Sequence, residues 1–189
     1  MKTYTLQSLK SFFIGKGTER TCYQSPENPS YVIKLSSKNF AKQTKRELAY
    51  FEFLKRQGVP FTHLPEFGGV VKVDGYIGFE QEAVVNVDGS LSQTLAEYFQ
   101  THSADSIPLK SLLDDLYAYM YKYNILPCDL NKYNILIQFT QNGPKLVLVD
   151  GIGNTDFIPL ALYWKYWGRR KIARKWPRFM KKDIEPLLK

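Results

Sequence analysis

Short apolar runs separated by turn residues dominate the first part of the chain and are typical of β-strands. Residues 10–35, with two glycines at the first bend, are predicted to form a hairpin of strands. Residues 70–73 and 76–85 are predicted to be further strands, because they flank the turn dipeptide Asp74-Gly75. An antiparallel sheet is therefore expected to form most of this part.

One helix is predicted between these strands, over residues 44–57. Apolar side chains recur there at the spacing of a single helix face, at Leu48, Phe51 and, less regularly, Leu54. Gly58 and Pro60 follow, as helix stop signals do. Glu47 falls in the first half of this helix.

Helical periodicity prevails in the second part of the chain, with one predicted hairpin as the exception. Residues 91–100 and 109–123 are predicted helices, and the second of them has a continuous apolar side. The hairpin strands, 135–139 and 146–149, are joined by a turn over residues 142–144.

The predicted fold class is α+β, with an antiparallel sheet in a first lobe and mainly helices in a reduced second lobe. Residues 87–90 are predicted to link the lobes, which gives a first lobe of 1–86 and a second lobe of 87–189. A composition with 44% hydrophobic and 23% charged residues is that of a globular protein. The sequence lacks a membrane-spanning stretch, a signal-peptide core and a C-x-x-C pair, so we expect a reduced, cytoplasmic chain. His63 and His102 are expected at the surface, because their spacing fits no metal site.

The net charge of +8 is concentrated at the C-terminal end, since residues 160–189 carry all of it. Residues 157–180 are predicted to form a basic aromatic helix that is interrupted near Pro177. Its apolar residues recur near helical spacing: Leu160, Ala161, Trp164, Trp167, Ile172, Trp176 and Phe179. Two interpretations stay open: residues 160–182 contact an anionic inner-membrane surface, or the apolar face packs on the second lobe and the charges are solvated. A nucleic-acid partner is not expected, because no reader motif accompanies the charge.

A constellation of polar residues surrounds the predicted hairpin. Asp129 and Asn134 precede its first strand, and Asp150 directly follows its second strand. Phosphoryl transfer depends on managing charge, and a carboxylate with an amide oxygen suits Mg²⁺. We therefore assign Asn134 and Asp150 to Mg²⁺, and Asp129 to the catalytic base that takes a proton from an attacking hydroxyl. For each residue alone, the alternative is that its side chain only turns the backbone.

This order resembles the protein-kinase catalytic segment, in which H-R-D-L-x-x-x-N is followed by a hairpin and by D-F-G. The resemblance implies a protein-kinase-like, two-lobed fold that binds ATP and Mg²⁺ between its lobes. Pro127-Cys128 stand where the pattern has H-R, so the bracing histidine is missing. The stretch after Asp150 is too short for an activation segment that grips peptides. The expected acceptor is therefore a small-molecule, saccharide or lipid-linked hydroxyl, anionic acceptors included.

A weaker match to the kinase pattern lies in the first lobe. Lys34 resembles the lysine of the V-A-I-K strand, and Glu47, with Glu52 as the alternative, is expected to hold it extended. A glycine-rich loop lets backbone N–H groups approach phosphates, but here Arg20 stands in place of the third glycine. The catalytic residues assigned are thus Asp129, Lys34 and Glu47. The nucleotide-binding residues assigned are Gly15, Lys16, Gly17, Lys34 and Glu82.

Longer runs of residues carry a second resemblance, which covers the whole chain. These runs are Cys22-Tyr23, Ile33-Lys34, Arg46-Glu47-Leu48-Ala49-Tyr50, Asn134-Ile135-Leu136, Asp150-Gly151-Ile152-Gly153-Asn154-Thr155, Ile158-Pro159-Leu160, Trp164-Lys165-Tyr166 and Lys175-Trp176. They resemble the YrbL-type proteins of the PhoP regulatory network, a bacterial family of small kinase-like domains. The resemblance implies a kinase-like fold and nucleotide binding but supplies no substrate.

Two functions follow as hypotheses. The first is an ATP- and Mg²⁺-dependent phosphotransferase with an alcohol group as acceptor, and transfer of AMP instead of a phosphoryl group stays open. The second is a pseudokinase, a nucleotide-binding regulatory module that acts through a partner. The missing histidine and the incomplete glycine loop favour the second hypothesis, whereas the presence of Asp129 favours the first.

Overall fold

The computed structural model describes residues 2–17, 20–37, 39, 41–153 and 164–188. The chain divides into two compact units, each with its own sheet. The first unit comprises Met1–Pro60 and Pro65–Ala83. The second unit comprises Phe61–Leu64 and Val84–Lys189.

A six-stranded sheet forms the body of the first unit. Its strands are β1 (Lys2–Tyr4), β2 (Phe13–Lys16), β3 (Arg20–Gln24), β4 (Tyr31–Ser37), β5 (Phe67–Val73) and β6 (Tyr76–Glu82). They lie in the order β1-β5-β6-β4-β3-β2, and all neighbouring pairs are antiparallel except β1 with β5. The predicted antiparallel sheet is confirmed, and β1 was missed because three residues are too few to show an alternating pattern.

The segment predicted as one hairpin, 10–35, contains most of three strands. It begins with a 3₁₀ turn, Lys10–Phe12, which follows the short helix α1 (Leu6–Leu9). The Gly17 N–H donates to the Arg20 carbonyl oxygen at 2.8 Å and closes the bend between β2 and β3. A second bend separates β3 from β4, where the sequence Ser-Pro-Glu-Asn-Pro-Ser cannot continue a strand.

Alternate residues of β4 point to opposite sides of this sheet. Ile33 and Leu35 are buried on one side, where they form a core with Leu9, Val71 and Val73. The opposite side carries Lys34 and Ser36, and a helix covers it.

That helix is α2 (Ala41–Arg56), which confirms the helix predicted over 44–57. The Ser36 and Thr44 hydroxyl oxygens lie 2.7 Å apart and link β4 to α2. The helix ends before Gly58, which has a φ of +65° that favours glycine. Because Ser36 and Lys34 are two residues apart on β4, Lys34 faces the same helix.

The second unit begins its sheet with β7 (Gln93–Thr94), followed by the short helix α3 (Leu95–Tyr98). The helix predicted over 91–100 is therefore shorter than expected. The Thr94 hydroxyl accepts the Glu97 N–H, and the Glu97 carboxylate accepts the Thr94 N–H, so this capping box fixes the helix start. The predicted linker, 87–90, lies in a turn of the second unit.

The long helix and the hairpin of the second unit agree with the sequence prediction. Helix α4 (Leu109–Tyr123) ends at Asn124, whose left-handed backbone (φ 57°) lets its N–H donate to the Met120 carbonyl oxygen. Strands β8 (Ile135–Thr140) and β9 (Gly143–Leu148) form the hairpin, and β7 pairs with β8 as a third strand. One strand of this sheet was missed because it has only two residues.

The C-terminal segment is helical from α5 (Lys165–Phe179) onward, with a π-helical turn at Met180–Ile184. The predicted start of this helix lies outside the described residues, which exclude 154–163. The interruption predicted near Pro177 is displaced, because the helix passes through the proline and widens only after it. Among the helices of the described residues, none combines the length and the apolarity that crossing a bilayer requires.

Candidate functional site

Both predicted metal ligands lie at the open end of the hairpin in the second unit. Asn134 directly precedes β8, and Asp150 follows β9 with one residue between them. The Val149 N–H donates to the Asn134 carbonyl oxygen at 2.9 Å, which holds the two chain segments together at this end. Strand pairing therefore brings Asn134 and Asp150 to one place.

Asp129 is tied to this place by Asn134. The Asn134 Nδ2 donates to the Asp129 carbonyl oxygen at 2.8 Å. Asn131 shapes the loop between them: its Nδ2 donates to Asp129 Oδ2 at 2.8 Å, and its Oδ1 accepts the Tyr133 N–H at 2.9 Å. Asn131 therefore turns the backbone of this loop.

Gly151 completes the constellation through its backbone. Its carbonyl oxygen accepts the N–H groups of Cys128, at 2.6 Å, and Asp129, at 3.0 Å. Its own N–H donates to Asp150 Oδ1 at 2.7 Å. A Cβ at this glycine would lie 2.1 Å from the Asp129 carbonyl oxygen and 2.8 Å from Asn134 Nδ2. The close approach explains on physical grounds why glycine follows Asp150.

The donor set suits a hard cation. The Asn134 amide nitrogen donates a hydrogen bond to the Asp129 carbonyl oxygen, so Oδ1 is the atom of that side chain that can ligate a cation. Asp150 adds carboxylate oxygens, and Mg²⁺ characteristically takes only one or two protein ligands beside phosphates and water. Within the described part of the chain, no three His, Cys, Asp or Glu residues form a metal-binding group. A cation held here by Asn134 and Asp150 would complete its coordination with phosphates and water.

Two residues from the C-terminal helices support the same loop, and the sequence analysis did not assign them. The Lys175 ammonium donates to the Cys128 carbonyl oxygen, directly before Asp129. Burial, together with the nearby charge of Lys171, lowers the pKa of Lys175. Asp183, which is buried, accepts the Lys132 N–H at 3.4 Å. No local pattern reveals these contacts, because they join segments that are far apart in the chain.

In the first unit, Lys34 occupies the middle of β4 and is buried, with 7% of its surface exposed. It pairs in register with Cys22 on one side and Phe79 on the other. A solvent-facing strand lysine would be largely exposed, and Lys34 is not. The alternative of an ordinary surface lysine is therefore wrong.

Glu47 is buried on the same side of the sheet, and it forms an ion pair with Arg20. Arg20 itself is buried and lies 5.8 Å from the centre of the Phe79 ring. The sequence analysis treated Arg20 only as a departure from the glycine pattern and missed this pair. Glu52, the alternative partner for Lys34, is exposed. The role of Glu47 in holding Lys34 stays a prediction.

Gln81 is a buried polar residue that the sequence analysis also missed. It lies on β6 opposite Val32 and therefore on the same side of the sheet as Lys34. Its side chain is almost fully buried, and its Oε1 accepts no hydrogen bond within the described residues. A buried acceptor without a donor is costly, so this atom suits an N–H group of a ligand.

The remaining assigned residues lie at strand ends of the first unit. Gly15 and Lys16 end β2, and Gly17 follows them in the bend. A Cβ at Gly15 would meet no described atom within 4 Å, so packing does not require this glycine. Glu82 ends β6, and its N–H and carboxylate both bind the backbone of Glu66, at 2.8 and 3.2 Å. The nucleotide-binding roles of these four residues stay predictions.

Comparison with known proteins finds relatives over most of the chain. The family described as "PhoP regulatory network protein YrbL" matches residues 7–183. The uncharacterized protein YrbL of Escherichia coli (strain K12) is 30% identical over 188 residues, which cover 92% of this chain and 90% of that protein. The YrbL protein of Shigella flexneri matches to the same extent.

Solved structures of similar fold are protein kinase domains. The PknI kinase domain of Mycobacterium tuberculosis has a TM-score of 0.51 and 18% identity, over 74% of this chain and 57% of that chain. A single mutant of the same domain has a TM-score of 0.54 and 17% identity, over 85% of this chain and 68% of that chain. At these identities the likeness concerns the fold alone. The predicted α+β, protein-kinase-like fold class is confirmed.

Proposed function

The chain belongs to the family of PhoP regulatory network protein YrbL, and we propose that it binds ATP with Mg²⁺ and transfers a phosphoryl group to a hydroxyl. The acceptor in this proposal is a small-molecule, saccharide or lipid-linked hydroxyl. The kinase-like fold supports the proposal but does not itself imply activity.

One observation carries the proposal: Asp129, Asn134, Asp150 and Gly151 form a single hydrogen-bonded constellation at the end of the hairpin. Asp150 Oδ1 does accept the N–H of the next residue, as a turn-forming Asx residue does, but the Gly151 carbonyl oxygen also binds the Asp129 N–H across the hairpin end. The order of these residues along the chain matches the order in kinases, and their contacts give that order a physical basis.

Bound ATP would supply the transferable phosphoryl group, and Mg²⁺ would neutralise part of the negative charge of the phosphates. Asn134 Oδ1 and the Asp150 carboxylate would supply oxygen ligands to the cation. Asp129 would orient the acceptor hydroxyl and take its proton as the acceptor oxygen bonds to phosphorus and ADP leaves. Lys34 would bring its ammonium group next to the phosphates of the nucleotide.

Gln81 supports adenine as the base of the nucleotide. Its Oε1 lacks a donor, and the exocyclic amino group of adenine is a donor, whereas guanine has an oxygen at the equivalent position.

A thermal-unfolding titration tests nucleotide binding. At about 100 times its dissociation constant, ATP with Mg²⁺ should stabilise the wild type by about 2.7 kcal/mol. Lys34→Met and Asp150→Asn should abolish this stabilisation. Their matched controls, Lys72→Met and Asp74→Asn, change exposed residues of the same kinds and should keep it.

Absence of stabilisation in the wild type would refute the proposal. Retention in Lys34→Met, with loss in Asp150→Asn, would show that only the second unit serves the nucleotide. Circular dichroism of each variant without nucleotide separates loss of binding from loss of fold.

A second assay tests transfer. Asp129→Asn should bind ATP as the wild type does but consume it about 10²–10⁴-fold more slowly. Equal consumption by both proteins would show that Asp129 is not the base. Label in the α-phosphate of ATP that enters the acceptor would indicate AMP transfer instead.

A pseudokinase is the second candidate, and one contact favours it. The Asp129 carboxylate already accepts a hydrogen bond from Asn131 at 2.8 Å, which holds the proposed base within its own loop. Nucleotide binding by the wild type without ATP consumption would support this reading, and a gain of consumption in Asn131→Ala would identify the contact as the cause of inactivity.

A further inference from the structure

The first turns of α5 and the residue before it carry an exposed cluster of aromatic and basic residues that the proposed function does not use. We call it the aromatic-basic patch, and its residues are Trp164, Tyr166, Trp167, Arg169 and Arg170. Trp164 is 59% exposed, Tyr166 65% and Trp167 46%. Large aromatic side chains at such exposure are costly in water, and together they form more than a scatter of single apolar residues.

The rest of the same helix behaves differently. Ile172 and Phe179 are buried, and the Trp176 ring packs 5.0 Å from the Tyr117 ring of α4. The sequence pattern treated all the apolar residues of this helix as one face. The structure divides them: the C-terminal half packs on the second unit, as one interpretation expected, and Trp164 and Trp167 of the N-terminal half do not.

The charged residues of the patch and of the helix around it are all basic. The sequence contains no Asp or Glu from 157 to 182, while Arg169, Arg170 and several lysines fall within this range. Such a surface attracts an anionic partner and has no acidic residue of its own helix to oppose the attraction.

The arrangement of the side chains favours a bilayer over a nucleic acid. The Arg170 guanidinium lies 5.8 Å from the Tyr166 ring centre and 5.9 Å from the Trp167 ring centre, and the two rings meet edge to face. Arg169 lies over Tyr121 and donates from Nε to its carbonyl oxygen at 3.2 Å. Single-stranded nucleic acids are instead bound along a charged groove that tracks their backbone, whereas this patch is confined to the first two turns of one helix and the residue before it. Indole and phenol rings next to basic residues are typical of the headgroup region of a membrane.

We propose that the aromatic-basic patch docks the chain on an anionic phospholipid surface, with Trp164, Tyr166 and Trp167 entering the headgroup layer and Arg169 and Arg170 contacting phosphates. Binding of this kind is peripheral and reversible, because it depends on a small apolar area and a few charges. It does not depend on the nucleotide site.

Vesicle co-sedimentation of the full chain tests the proposal. Vesicles with about 25% phosphatidylglycerol should bind the wild type, and neutral phosphatidylcholine vesicles should bind it far less. Each basic residue near the surface contributes about fivefold, so R169Q/R170Q should weaken binding about 25-fold. W164A/Y166A/W167A should weaken it by about tenfold or more, because the inserted apolar area is lost.

Matched controls change the same residue types elsewhere. K42Q/K45Q removes two exposed charges of α2, and Phe13→Ala removes a side chain that is 54% exposed. Both should bind anionic vesicles as the wild type does. The tryptophan emission of the wild type should shift to shorter wavelength on binding, because Trp164 and Trp167 leave water.

Three results would overturn the proposal. Equal binding to anionic and neutral vesicles would show that negative charge on the lipid does not contribute to binding. Unchanged binding of both patch variants would show that other residues contact the vesicle. Tight binding of a fluorescent single-stranded oligonucleotide that the patch variants lose, without vesicle binding, would identify nucleic acid as the partner.

Discussion

Replacing Gly151 by alanine should disrupt the loop that carries Asp129 without removing any functional group. The new methyl carbon would lie 2.1 Å from the Asp129 carbonyl oxygen, which is backbone and cannot rotate away. It would also lie 2.8 Å from the Asn134 Nδ2 that binds the same carbonyl. Relief of the overlap therefore requires the loop to separate from the end of the hairpin.

The magnitude has two parts. Gly151 has a φ of +71°, and alanine in the left-handed region costs about 1–2 kcal/mol, offset by about 0.4–1 kcal/mol from the stiffer unfolded chain. Overlap with packed atoms adds about 1–3 kcal/mol. Gly89 isolates the first part, since it has a φ of +83° and its added Cβ would meet no described atom within 4 Å.

Urea unfolding followed by tryptophan fluorescence measures both variants. All three tryptophans of the chain, Trp164, Trp167 and Trp176, belong to the second unit, as do Gly89 and Gly151, so the signal reports the relevant unit. Gly151→Ala should lower the free energy of unfolding by about 1–3 kcal/mol more than Gly89→Ala does.

The reasoning fails if the two variants agree within about 0.5 kcal/mol, which is the accuracy of such comparisons. In that case the loop would accept a side chain, and the close approach would not be the reason for glycine. Consumption of ATP offers an independent check, because a displaced Asp129 should slow it in Gly151→Ala and not in Gly89→Ala.

Three further predictions follow from buried polar groups. Glu47→Gln and Arg20→Met should each destabilise the first unit by about 3 kcal/mol, because each breaks the buried ion pair, and the combined Arg20→Met/Glu47→Leu variant should cost less than the sum of the two single changes in urea unfolding followed by circular dichroism. Burial lowers the pKa of His63 from 6.5, so the folded state binds fewer protons than the unfolded state, and the stability present above pH 6.5 should fall as the pH drops below it. Thermal unfolding of His63→Asn should show less of this decline than wild type, and His102→Asn should match wild type. Gln81→Leu should raise the stability of the nucleotide-free chain by about 1 kcal/mol and weaken ATP-induced stabilisation, whereas a loss of stability without nucleotide would contradict the lone-acceptor interpretation.

His63 makes a hydrogen bond that the sequence pattern could not predict. The pattern placed both histidines at the surface, yet the His63 ring is partly buried, with Nδ1 2.7 Å from the Leu146 carbonyl oxygen. Its partner is distant in the chain, and no local pattern announces a hydrogen bond to a backbone atom of a remote strand. The sequence therefore did not reveal that the His63 ring is held against a remote strand.

Local pattern determined the elements that are long and regular. Helices α2 and α4 and the strands β8 and β9 follow from the spacing of their apolar residues and from the glycine or asparagine at their ends. The short elements β1 and β7 were missed, since two or three residues carry no readable period. The order of Asp129, Asn134 and Asp150 around a hairpin was also visible, because the three residues lie close together in the chain.

Only the tertiary structure decided which distant groups meet. Arg20 lies on a strand and Glu47 on a helix, and packing of that helix on the sheet brings the two side chains together. Lys175 reaches the Cys128 carbonyl oxygen from a separate helix. The same holds for exposure. The sequence pattern assigned Trp164 and Trp176 to one apolar face, but in the structure Trp176 packs against Tyr117 and Trp164 is exposed. A sequence specifies which side chains are apolar or charged, but burial and pairing depend on the surfaces that the folded chain brings against them.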